Sequence, residues 1–140
     1  MAIPSVGGGY QVGDGNVNEI QLGYMTDVQT ATATATLTTA QVIGGVLVGN
    51  PSTTAATYTL PTGAQLDAAL ANAKINSTFE LTIINLGTST GLITVAVGTN
   101  ITAVGNLVVP ITGSAAGVSG AALFRFRRTA VGAWTVYRTA

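Results

Sequence analysis

The last twenty residues constrain the fold more than any other stretch. Ala121-Ala-Leu-Phe-Arg-Phe-Arg-Arg-Thr129 and Trp134-Thr-Val-Tyr-Arg138 flank a Val131-Gly132 break. Both runs alternate at period two and are rich in aromatic and β-branched residues, so they predict the two strands of a hairpin. On the first strand, Phe124 and Phe126 share one face, and Leu123, Arg125 and Arg127 share the other. On the second, Trp134, Val136 and Arg138 lie opposite Thr135 and Tyr137. The hairpin holds two of the three Phe residues, the only Trp and four of the five basic side chains. The Phe pair is expected in the core and the arginines on the opposite face.

Upstream, short apolar runs separated by turn formers continue the β pattern. Thr30–Thr38 alternates Thr and Ala and predicts one strand. Val42-Ile43 and Val46-Leu-Val48, split by Gly44-Gly45, predict a strand with a bulge or bend. Thr57–Leu60 is a strand ended by Pro61. Phe79–Asn85 and Leu92–Val97, around the turn Leu86–Gly91, predict a second hairpin. Ile101–Val104 and Leu107–Ile111 complete the set, with Pro110 marking the latter as an edge strand or as finishing there. One helix is expected, over residues 63–74. Thr62 is its N-cap, Gln65 completes a capping box, and Leu66, Leu70 and Ala73 fall on one face. The expected class is therefore all-β, a mainly antiparallel sandwich or open barrel, with one short α-helix and an extended N-terminal arm.

The arm is assigned to residues 1–27 and a single β-rich domain to residues 28–140. Gly7-Gly-Gly9, Gly13-Asp-Gly-Asn16 and Pro4 interrupt both periodicities, leaving Tyr10, Ile20, Leu22, Tyr24 and Met25 isolated. A short strand at Asn18–Leu22 would suit pairing with another sheet. Charge is scarce: 7% of the residues are charged and the formal net charge is zero, against roughly 25% charged in ordinary soluble proteins. A free chain of this kind has little repulsion to oppose association. What charge exists is segregated, with Asp14, Glu19 and Asp27 at one end and Arg125, Arg127, Arg128 and Arg138 at the other.

The chain has no Cys and no His, which removes disulfides, thiolate metal sites and the usual general base. Asp14-Gly-Asn-Val-Asn18 imitates the start of a calcium loop, but Glu19 stands where Gly is required and Met25 where the bidentate Glu belongs. Gly7-Gly-Gly9 lacks the Lys-Ser/Thr and helix of a phosphate loop. No enzyme activity, cofactor or metal is expected. The net charge of zero argues against direct nucleic-acid binding, and no apolar run approaches a membrane span. The N-terminus lacks the basic and apolar regions of a signal peptide, so synthesis in a cytoplasm is expected.

The leader Gly7–Glu19, the strand Phe79–Asn85 and the ending Ala122-Leu-Phe-Arg-Phe-Arg-Arg128 with Gly132-Ala-Trp-Thr-Val-Tyr-Arg138 together resemble the capsid decoration, or cement, proteins of tailed bacteriophages. The resemblance implies a β-rich homotrimer on the outer capsid surface of the virion, made in the host cytoplasm, which stabilises the head. It also implies that the arm contacts the major capsid protein. The residues expected in that contact are Tyr10, Asp14, Asn18, Glu19, Ile20, Leu22 and Tyr24, with Arg125, Arg127, Arg128 and Arg138 in a subunit or capsid contact. A receptor-binding or fibre-tip β-module of a phage is the alternative, and an isolated sugar-processing enzyme is opposed by the missing site groups.

Overall fold

The computed structural model describes residues 23–113 and 120–140. The described chain is mainly β, and it passes back and forth between two sheets. β1 (Gln29–Ala31), β3 (Val46–Gly49) and β5 (Thr78–Asn85) enter a six-stranded sheet. β2 (Ala35–Thr36), β4 (Ala56–Thr59) and β6 (Ile93–Ala96) enter a four-stranded one. Each strand thus returns to its sheet in its original direction, and β1–β3, β3–β5, β2–β4 and β4–β6 are all parallel pairs. β7 (Ile101–Val104) and β8 (Val108–Val109) add one strand to each sheet. The terminal hairpin, β9 (Ala121–Ala130) and β10 (Ala133–Arg138), closes the six-stranded order β1-β3-β5-β9-β10-β7.

This winding corrects the antiparallel expectation. Among the described strands, antiparallel pairing is confined to β5–β9, β9–β10 and β6–β8. The proposed Phe79–Val97 hairpin does not form, because β5 and β6 belong to different sheets. Its connection is pinned by Asn85, a fully buried side chain whose Oδ1 accepts from Gly87 N–H at 2.7 Å. The Asn85 amide donates to Gly91 O at 2.9 Å and Val109 O at 3.1 Å, tying the end of β5 to β8 in the opposite sheet. The expected Thr30–Thr38 strand divides in the same way, into β1 and β2. An Ala-Thr alternation has the period of a strand but carries no large side chain to hold it in one sheet.

Among the described residues, two helices form where one was expected. α1 (Thr39–Ile43) occupies part of the segment read as a bulged strand, and α2 (Gly63–Ala69) ends earlier than residue 74. Both begin with the same Thr-x-x-Gln capping box: Thr38 with Gln41, and Thr62 with Gln65. Each reciprocal cap satisfies two otherwise orphaned groups and contributes about 1 kcal/mol. Val42 is then the buried anchor of α1 rather than a strand residue.

Side chains from both sheets and both helices meet in one buried cluster. Leu47, Leu81, Ile83, Phe124, Phe126, Trp134 and Val136 come from the large sheet, and Tyr58, Ile93, Val95 and Val109 from the small one. Leu66 of α2 and Val42 of α1 complete it. Burying each such side chain stabilises the fold by about 1.5–3 kcal/mol relative to exposure. Side chains of the small sheet pack directly onto the backbone of β3 at Gly49, where a Cβ would stand 2.4 Å from Ile93 Cδ1 and 3.0 Å from the Tyr58 ring, so a larger residue there would push Ile93 aside.

Candidate functional site

The terminal hairpin forms as its alternation predicts. Phe124 and Phe126 are buried, and register pairs Phe126 with Val136 and Phe124 with Arg138. Phe79 of β5 stacks on Phe126 with ring centroids 4.6 Å apart and meets Trp134 edge-on at 5.5 Å. Gly132, at φ 69°, completes the Val131-Gly132 turn.

The arginines do not share one outer face. Arg128 follows Phe124 and Phe126 at strand spacing and so lies on the core side, beneath α2, while Arg138 lies on the face of Trp134 and Val136. Arg125 and Arg127 alone occupy the outward face. Arg125 pairs with Glu80, its register partner on β5, through Nε at 3.0 Å. Arg127 donates to Tyr137 Oη at 3.2 and 3.1 Å and to Asn76 Oδ1 at 3.0 Å, with its guanidinium 6.0 Å from the Tyr137 ring centre. Arg138 donates to the carbonyls of Asn106 and Ala140 at 3.2 Å and of Val108 at 2.5 Å, joining the hairpin to β8 of the other sheet.

Asp67 of α2 organises the hairpin's tip. Its Oδ1 accepts from Arg128 Nε at 3.0 Å and from the Trp134 indole N–H at 2.8 Å; its Oδ2 accepts from Gly132 N–H at 2.7 Å and from a second Arg128 nitrogen at 2.5 Å. The side chains of the pair are only 15% and 17% exposed. Arg128 holds the carboxyl below the usual carboxylate range; burial opposes this, and the Gly132 and Trp134 donors reinforce it. One helical acid therefore aligns a helix, a turn and the only Trp. No local signal marks it, because Asp67 and its partners lie more than sixty positions apart in sequence.

The arginines' carboxylate partners thus come from β5 and α2. Of the expected arm residues, Tyr10, Asp14, Asn18, Glu19, Ile20 and Leu22 lie outside the described residues. Tyr24 is described and is 95% exposed, with Met25 and Val28 also open to solvent just before β1. Asp27, between them, is exposed as well.

A cleft of about 300 Å³ opens between the end of α2 and the start of β5, walled by Phe79, Trp134 and Leu70 with Asn72, Ser77 and Thr78 around it. It contains no titratable side chain. Among the described residues, no three potential metal ligands cluster, and no helix is long and apolar enough to cross a membrane. No protein-family model, curated protein or solved structure matches this chain.

Proposed function

We propose that this chain is a structural virion protein of a tailed phage, a decoration protein that binds the outer capsid surface and stabilises the head. In this reading the two sheets face each other as an open sandwich, three copies assemble, and residues 1–27 form an extended arm against the major capsid protein. The observation that carries it is the exposed apolar sequence at the arm's junction with β1, where Tyr24, Met25 and Val28 stand in solvent. Isolated apolar side chains on a surface are ordinary, but three within five residues at the root of a turn-rich leader suit a contact with another protein. The engagement of all four hairpin arginines within the chain supports a body built for rigidity over a nucleic-acid surface. Many copies on one shell would turn a modest contact into firm attachment.

The test is co-sedimentation with expanded heads of the same phage stripped of this protein. The full chain is expected to pellet with the heads, and a variant lacking residues 2–24 to fold with an unchanged unfolding midpoint and remain in the supernatant. Retention by the truncated variant would remove the arm from the contact. Failure of the full chain to bind would overturn the decoration reading, and binding to host cells instead would favour a receptor-binding module.

A further inference from the structure

Among the described residues the two sheets have four edge strands, β1, β7, β2 and β8, and three of these edges are closed or short. On β1, the outward carbonyl of Thr30 accepts from the Gln41 side chain of α1 at 2.8 Å. On β8, the Val108 carbonyl accepts from Arg138, and its N–H donates to Asn106 Oδ1 at 3.0 Å. β2 is two residues long and gives way at once to the capping box of α1. β7 is different. It is four residues long, with Thr102, Ala103 and Val104 all exposed, and it lacks the charge or proline that natural edge strands use against pairing.

The register identifies which groups are open. Trp134 is the partner of Ile101, and its N–H donates to Asn100 O at 3.1 Å. In a parallel ladder a residue bonds to the two positions flanking its partner, so Asn100, Thr102 and Val104 present the groups that face β10. Ala103 turns its N–H and C=O the other way. Among the described residues β7 is laddered to β10 alone, and no backbone bond outside that ladder reaches either group.

We propose that β7 is a self-pairing edge, joining two copies of this chain across a two-fold axis at Ala103. Antiparallel pairing of Ala103 with Ala103 of a second copy exchanges both backbone bonds and extends the six-stranded sheet through the contact. Thr102 then stands opposite Val104 of the second copy on the outer face, where Val104, 47% exposed, packs against the Thr102 methyl group. A second copy suits this edge because the strand Ile101-Thr-Ala-Val104 carries no charge and the whole chain has a formal net charge of zero, so nothing repels an identical partner. This contact goes beyond the capsid reading and does not depend on it. A two-fold contact joins two monomers or, if the threefold assembly exists, two trimers.

Sedimentation equilibrium of the full chain, wild type against Ala103→Pro, tests this directly. Proline deletes the outward N–H and leaves the β10 ladder untouched, a place where edge strands tolerate it. The wild type is expected at twice the variant's mass: two chains against one, or six against three. Trp134 fluorescence during unfolding checks that the variant is folded, and Ala103→Lys replaces it if it is not. Because the chain has no cysteine, Ala103→Cys adds an unambiguous second readout. Its expected Cα separation of about 5.5 Å across the axis lies within disulfide range. It should cross-link under mild oxidation at concentrations where Val131→Cys, at the exposed turn, does not. Equal masses for wild type and variant, or equal cross-linking at the two cysteine positions, would overturn the proposal. A wild-type mass of three chains that Ala103→Pro leaves unchanged would overturn the edge contact while sparing the trimer.

Discussion

Replacing Asp67 with Ala should destabilise the protein by about 3 kcal/mol, no more than the low end for a fully buried ion pair, because this pair is only partly buried but its loss strips three donors of one acceptor. The loss leaves the Arg128 guanidinium, the Trp134 indole N–H and the Gly132 N–H without their shared acceptor. In a domain of this size that is a fall of roughly 10 °C in Tm. The effect has a pH signature. The folded carboxyl titrates below its ordinary value, with Arg128 the first cause. Its stabilisation is therefore complete above the unfolded carboxyl's pKa of about 3.9 and is lost as pH falls through the lower, folded value. Urea unfolding of the wild type and Asp67→Asn, followed by Trp134 emission, should show a gap at pH 7 that closes in acid below about pH 4. A gap independent of pH would mean that the charge does not hold the hairpin to α2.

Asn85→Ala should cost a similar amount, about 3 kcal/mol, by a different route. The substitution strands the Gly87 N–H and the Gly91 and Val109 carbonyls at a position with no exposure, and it cuts the link between β5 and β8. With a urea dependence of about 2 kcal/mol per molar, the midpoint should fall by roughly 1.5 M. Asn85→Asp is the sharper variant. It keeps an acceptor for Gly87 but points a carboxylate at two carbonyl oxygens, so it should be more damaging at pH 7 and recover as acid protonates it. A loss below 1 kcal/mol for Asn85→Ala would show that water or the loop itself satisfies those groups.

The sequence exposes the strands better than their partners. Phe79–Asn85 and the terminal hairpin alternate large and small or polar side chains, and that contrast fixes which face is buried. Passage from one sheet to the other leaves no such trace. The β5–β6 connection looks like a hairpin turn in composition, and only the hydrogen bonds of Asn85 reveal that it spans two sheets. The α1 capping box was legible, since Thr38-x-x-Gln41 repeats the pattern at Thr62, but Val42-Ile43 and the Gly pair are equally at home in a bent strand. Strand parity also contained the position of Arg128, two residues beyond Phe126. Its acceptor was not legible, because a contact between α2 and the hairpin depends on tertiary packing alone.

The proposed capsid-surface role can be read from a reconstruction of the mature virion at a resolution that allows this chain to be traced. Copies of the two-sheet body are expected at threefold and quasi-threefold positions outside the head, with the segment before β1 lying against the major capsid protein. Density for the chain at a fibre or tail tip, or no copies on the head at all, would contradict it.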